Sequence, residues 1–381
     1  MNSPTPRVVP HSQSQDVPTF ALPQEYFTTP EWHRRDMERV FKRRWLFAGH
    51  AAQIPQTGDF LTYEIENENV LIVRSGDSRI HAFHNTCRHR GSRICTEKSG
   101  NQKAFLCPYH NWTYGLDGRL LTARLMGNNI DKSLYAAIPV WIEEWNGMLF
   151  VNFLPEKPRA VADYLKNADF SAFSLNQTRV ILDRTYPVAS NWKLAAETFA
   201  ECYHCANLHP ELCVLVDPLR DLEAWDDATA GDDYAIFTPD MSSAIVKPGM
   251  RSFTMTGDVE CQVPLGNGRD WLRQISALSW FPQFGIFVFP DHAVTYSWIP
   301  VTPNTCLFRS TWLVHKDAVE GKDYTVAQLT EFADLLNQQD ARACELAQLG
   351  IQSSGYRPGP YHPVFEGPVR GLNRTYRQHV A

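Results

Sequence analysis

Apolar residues recur at three- and four-residue steps at Met37, Val40, Phe41 and Trp45, which predicts a helix over about 28–46. Thr28-Thr29-Pro30-Glu31 supplies its start, with a hydroxyl to cap and a proline in an early turn. From about 47 to 154 the pattern changes. Short alternating or apolar runs, such as those beginning at Phe60 and Val70, are separated by Gly-Asp, Asn-Glu-Asn and Ser-Gly-Asp clusters, the texture of a small all-β unit. Pro155 to Pro158 reads as the linker that leaves it. The remainder is mixed: a helix over about 192–208, strands over about 275–299 and 306–314, and a long amphipathic helix over about 324–349. No internal repeat interrupts this plan, and no G-x-G-x-x-G segment suggests that the chain itself holds a flavin or nicotinamide.

Composition narrows the partners. A formal charge of −6 and a pI near 6.1 give no basic face for nucleic acid. No apolar run approaches the roughly 20 residues that span a bilayer, so no membrane role is expected. Met1 to Asp16 is polar, carries three prolines and lacks an apolar core, which fits a disordered leader that docks late rather than an export signal. A cytoplasmic location follows as the expectation. There, nine cysteines are better metal ligands or buried side chains than a disulfide framework. Cys202, Cys205, Cys213, Cys261, Cys306 and Cys344 read as small buried hydrophobes, and only Cys87 and Cys107 have companions that suggest chemistry.

Those companions are histidines. The pattern is Cys87-x-His89, seventeen residues, then Cys107-x-x-His110. One cysteine and one histidine on each of two loops suit a Rieske-type [2Fe–2S] centre, in which histidines hold one iron and cysteines the other. A structural zinc site would instead bring its cysteines together as C-x2–4-C and pair its histidines elsewhere. Gly91 and Pro108 fit tight loops, while Cys95 and His84 fall outside the pattern.

A second constellation begins at Asn191. His204 and His209 are candidate imidazoles of a two-histidine, one-carboxylate iron site, a set that leaves coordination positions open. Five residues apart, they stand ~140° apart on an ideal helix, so a π-bulge or unwinding is expected between Cys205 and His209, with Pro210 ending the element. The carboxylate must come from elsewhere. Asp340 is preferred because Leu336, Cys344 and Ala347 surround it at helical spacing, and Glu345 is the competitor.

From about residue 22 onward the chain resembles the α subunits of Rieske non-haem iron oxygenases, through C-x-H-x17-C-x2-H, E-C-Y-H-x4-H-P and Q-D-x3-C-E-x2-Q-x-G. The resemblance implies an α+β fold. Residues 1–46 would pack on the catalytic domain, 47–155 would form an all-β Rieske domain, and 156–381 an antiparallel-sheet-and-helix, helix-grip-like catalytic domain. By resemblance Cys87, His89, Cys107 and His110 hold the cluster, and His204, His209 and Asp340 hold the mononuclear iron. Glu201, where ring-hydroxylating dioxygenases usually carry Asp, points to the branch acting on quaternary ammonium compounds such as glycine betaine, although Thr198-Phe199 departs from the Asn-Asn often found there. The implied reaction is N-methyl hydroxylation with O2, driven by NAD(P)H through a separate flavin- or ferredoxin-type reductase. The alternative is an aromatic ring-hydroxylating dioxygenase. The resemblance also implies a head-to-tail homotrimer, in which Glu201, one helical turn before His204, links one subunit's iron to its neighbour's cluster. A quaternary cation lacks N–H donors, so aromatic faces should hold it, and Phe199, Tyr203, Trp280 and Phe289 are the candidates.

Overall fold

Thr29 opens the first helical segment as the sequence predicts. Its hydroxyl accepts from the Trp32 amide at 3.4 Å and Pro30 takes the first helical position. The segment Pro30–Arg35 widens into a π-helical stretch over Asp36–Phe41, which turns Met37, Val40 and Phe41 into the core. The computed structural model describes residues 20–127, 130–218, 233–239, 246–266 and 275–381. The leader expected over 1–16 lies outside them.

Ten strands follow: β1 (Leu46–His50), β2 (Asp59–Ile65), β3 (Glu68–Arg74), β4 (Ile80–His84), β5 (Ser99–Asn101), β6 (Phe105–Leu106), β7 (Thr113–Tyr114), β8 (Leu120–Thr122), β9 (Trp141–Trp145) and β10 (Met148–Asn152). They form three antiparallel sheets, ordered β1-β10-β9, β4-β3-β2-β5 and β6-β7-β8. Alternation divides the middle sheet. Phe60, Leu71 and Val73 face a cluster that contains Cys87, Cys107, Trp112 and Tyr114, whereas Leu61, Tyr63, Val70 and Ile72 join the core shared with the rest of the chain.

Beyond residues 153–160, which form no helix or strand, six strands among the described residues build the second large unit. They are β11 (Thr178–Val188), β12 (Ala235–Thr238), β13 (Ser276–Trp280), β14 (Phe284–Val288), β15 (Ala293–Thr302) and β16 (Thr305–His315). Their antiparallel order is β11-β16-β15-β14-β13-β12. The sequence reading omitted β11, which contains Pro187; its place at the sheet edge tolerates the missing donor. On one face Trp280, Phe284, Ile286 and Val288 pack with Phe47 and Phe150. The other face is covered by helices Trp192–Ala200 and Val326–Ile351, capped by the Asn191 and Thr325 side chains respectively. The fold is α+β, an all-β unit joined to an antiparallel sheet covered by helices.

The helix expected over 192–208 is shorter than that. It stops at Ala200, Glu201 is extended (φ −141°, ψ 165°), and a separate turn of helix covers Cys205–Leu208. The expected unwinding is therefore displaced. The His209 amide bonds to the Cys205 carbonyl at 3.0 Å in ordinary α geometry, and the main break precedes His204.

A final helix, Gly367–Val380, returns to the N-terminal segment. Asp36, wholly buried, accepts from Trp192 Nε1 at 2.8 Å, from the Tyr376 hydroxyl at 2.6 Å and from Lys193 Nζ. A buried amine needs such a partner, because removing one member of a buried pair costs about 3–5 kcal/mol.

Candidate metal centres and cavity

Two loops at the end of the all-β unit carry the first ligand set. Cys87 and Cys107 are buried, while His89 and His110 are half-buried on the outer side, with ring centroids 4.5 Å apart. Gly91 (φ +74°) and Asn111 (φ +58°) take left-handed conformations that close the loops, where the Gly91 and Asn111 amides bond back to the Cys87 and Cys107 carbonyls. The His89 ring stacks on Trp112. Its Nδ1 is buried without a hydrogen-bond partner, a cost that an iron ion bound there would remove. The Tyr114 hydroxyl lies 3.4 Å from Cys87 Sγ and also accepts the Arg88 amide at 2.9 Å, so the first loop is held from beneath.

The second set converges from two elements. His204 and His209 flank the short turn of helix, and Asp340 projects from the long helix. Asp340 Oδ1 stands 3.4 Å from His204 Nε2 and 3.0 Å from His209 Nε2. Although both contacts are close, that buried oxygen satisfies no hydrogen-bond geometry. Atoms sharing a first-row metal ion at about 2.0–2.2 Å stand about 2.9–3.4 Å from each other, which is the spacing found here. Each histidine commits its other nitrogen elsewhere: His204 Nδ1 to Glu201 Oε1 at 2.5 Å, and His209 Nδ1 to Gln339 Oε1 at 2.7 Å. Gln339 is itself held by Glu211 at 3.2 Å. Such partners fix the tautomer that presents Nε2 to a metal.

The electrostatics favour a cation. Burial lowers the pKa of His204, but the Asp340 and Glu201 carboxylates outweigh it and raise it to about 9. Burial pushes Asp340 up, and the two imidazoles more than compensate, holding it below the usual carboxylate range. The two carboxylates beside His204 thus favour positive charge at this place, whether a proton or a metal ion.

Beside this cluster lies a cavity of about 130 Å³. Phe199, Phe253, Phe287, Phe289, Tyr296, Phe308 and Phe332 supply its aromatic wall, and Glu201, His204, His209 and Asp340 its polar end. Gly285 admits the Phe199 ring, because a Cβ at that position would collide with it. Of the four cage candidates, Phe199 and Phe289 line the cavity, whereas Trp280 and Tyr203 do not. Trp280 pairs with Phe284 across β13 and β14, and so shares the opposite face of the sheet. Tyr203, beyond the helix break, is 48% exposed and stacks on Phe365. Phe253, Phe287, Tyr296, Phe308 and Phe332 went unread; strand alternation around Phe287 and Phe289 was the available signal. Glu345 turns away from the site, toward the Ala189 amide and Arg342.

Two further corrections concern residues 201–205. Glu201 is not on a helical turn with His204; from extended backbone, its carboxylate takes the His204 ring and the Tyr203 and His204 amides of its own subunit. Cys202 and Cys205 are not lone hydrophobes but are bonded to each other. Their C-x-x-C spacing was the signal.

The family model described as "Ring hydroxylating alpha subunit (catalytic domain)" matches residues 175–381, and the Rieske [2Fe–2S] domain model matches 44–139. The chain belongs to the ring-hydroxylating α-subunit family of Rieske oxygenases. It is an oxidoreductase subunit whose cofactors are a [2Fe–2S] cluster and a mononuclear iron. The glycine betaine monooxygenase oxygenase subunit of Pseudomonas aeruginosa is 36% identical over 390 residues, covering 95% of this chain and 89% of that one. Its namesake in Chromohalobacter salexigens is 34% identical over 371 residues, covering 91% and 82%. Among solved structures, a quaternary ammonium Rieske monooxygenase bound to L-carnitine superposes with a TM-score of 0.75 at 22% identity, covering 96% of this chain and 97% of that one. Naphthalene 1,2-dioxygenase from a Rhodococcus species gives 0.73 at 20% identity, covering 94% of each chain. These two likenesses show the shared fold of Rieske oxygenases. As an oxygenase subunit the chain works with a separate reductase on a small molecule. Among the described residues, no helix is long and apolar enough to cross a membrane.

Proposed function

We propose that this oxygenase hydroxylates an N-methyl C–H bond of a quaternary ammonium compound resembling glycine betaine. The observation that carries the reading is the meeting of an aromatic-walled cavity with His204, His209 and Asp340. Phenyl and phenol faces attract a cation that offers no N–H, and such contacts gain strength when water is excluded. The relatives named for glycine betaine point the same way.

In this assignment His204, His209 and Asp340 hold the iron, and Cys87, His89, Cys107 and His110 hold the cluster. Iron and cluster together supply dioxygen activation and its electrons. The chain's own residues position and insulate: Phe199, Phe287 and Phe289 hold the cation and exclude water, while Glu201 and Gln339 fix the two imidazoles. The hydroxymethyl ammonium product loses formaldehyde and a proton to leave the tertiary amine. With a flavin- or ferredoxin-type reductase and NAD(P)H, glycine betaine should give formaldehyde in step with oxygen uptake. A cis-diol from an arene, with betaines inert, would establish the ring-dioxygenase alternative instead.

We further assign the working assembly as a cytoplasmic homotrimer, with electrons crossing from one subunit's cluster to the next subunit's iron. Two observations support it: the cluster histidines lie on the outer side of their unit, and Glu201 Oε1, bound once by His204, keeps a second lone pair. A related structure was described for inter-subunit electron transfer. Glu201→Gln should keep the trimer and both metal centres yet lose turnover on the order of 10²-fold. A monomer with full activity, or a variant with normal turnover, would refute the assignment.

A further inference from the structure

The sulfur atoms nearest the histidine pair belong to no role described so far. Cys202-Tyr203-His204-Cys205 encloses the first histidine within its C-x-x-C spacing, and both cysteines line the cavity. Cys205 Sγ stands 3.7 Å from His204 Nε2, the nitrogen that faces Asp340. Donor atoms of His204, Cys205 and His209 all lie within 4.8 Å of one another. A tetrahedral ion about 2.0–2.1 Å from nitrogen and about 2.3 Å from sulfur sets these atoms about 3.6 Å apart. The sulfur is thus already at ligand spacing from His204 Nε2, and its bond to Cys202 keeps it from serving as a ligand.

We propose that Cys202 and Cys205 are a redox pair that sets the metal preference of the His204–His209 site. Closed, the pair leaves two histidines and the Asp340 carboxylate, a set suited to iron(II) with open positions. Opened, it adds the Cys205 thiolate. Four protein donors then surround the ion, the filled tetrahedral arrangement of structural zinc, with no position left for substrate or oxygen. Opening takes two electrons and two protons from a dithiol, which departs as its cyclic disulfide; zinc binding releases the Cys205 proton to solvent. The proposal rests on His204 and His209 being metal ligands.

The test uses cluster-bearing protein stripped of mononuclear iron by a chelator and loaded with Zn²⁺, read by zinc-edge X-ray absorption and by zinc retention against a competing chelator. Dithiol-reduced wild type and Cys202→Ser should each show one sulfur neighbour and hold zinc at least ~10-fold more tightly than oxidised wild type. Oxidised wild type and Cys205→Ser should show nitrogen and oxygen neighbours alone. Zinc bound by two imidazoles without sulfur in both reduced wild type and Cys202→Ser overturns this proposal and leaves the ligand assignment standing. A sulfur neighbour that persists in Cys205→Ser also overturns it. Zinc bound without imidazole overturns both. Reduced wild type needs no substitution, so the test survives a variant that fails to fold, and the visible spectrum of the cluster reports folding throughout.

Discussion

Asp340→Ala should strip the mononuclear iron and reduce turnover by about 10³-fold or more while leaving the cluster's visible spectrum unchanged. The asymmetry follows from position. Asp340 is the group that both Nε2 atoms approach, at 3.0 and 3.4 Å, and it lies on a helix remote from the cluster loops. Losing even an outer partner of a metal ligand costs about 10–100-fold in affinity, and losing a direct donor costs more. The substitution also removes the carboxylate that, with Glu201, raises the His204 pKa. The apo site then holds its proton less firmly, yet it has too few donors to exchange that proton for iron. Metal analysis and formaldehyde release check the result. An active Asp340→Ala beside an inactive Glu345→Ala would show that Glu345, not Asp340, is the carboxylate that holds the iron.

Cys107→Ala should have an equally large effect through the other centre. Iron per chain should fall from three, two in the cluster and one mononuclear, to one, and the brown colour should be lost. Cys107 is buried among Phe105, Trp112 and Tyr114, and its amide donates to the Trp112 carbonyl at 2.8 Å, which fixes it in the loop. Metal binding at such a site is also folding free energy, so the melting transition of the all-β unit should move down with the colour. Substrate binding at the mononuclear site should survive, since its cavity draws no wall from this unit. A variant that stays brown with full iron would exclude Cys107 as a ligand.

The proposed ligand sets are legible because metal chemistry restricts residue type and spacing together. Cys87, His89, Cys107 and His110 announce themselves within a short stretch, and the observed loops bring the two histidines to 4.5 Å. Asp340 was harder. Its partners lie more than a hundred positions away, and only its apolar neighbours on a helix singled it out. The cavity wall was half legible. Aromatic content says that rings are available, but the face each ring takes depends on strand pairing, which placed Trp280 with Phe284 rather than with Phe287. Tyr203 was misplaced for a local reason: a helix was extended through Glu201, whose extended backbone turns the next side chain outward. Cys202 and Cys205 look like packing residues wherever a reducing compartment is expected, and only their C-x-x-C spacing points to the bond between them.

The contacts of Asp36 constrain how the polypeptide matures as it is synthesised. The ribosome delivers Asp36 157 positions ahead of Lys193 and 340 ahead of Tyr376, the residues it must eventually join. Strands β1 to β10 can close their sheets with what has already emerged, since all their partners precede residue 153. The catalytic unit has no such freedom. Its Lys193 amine is matched by an acid made long before it and lies against Tyr376 of the helix Gly367–Val380, so that unit closes only after the ribosome has passed that helix.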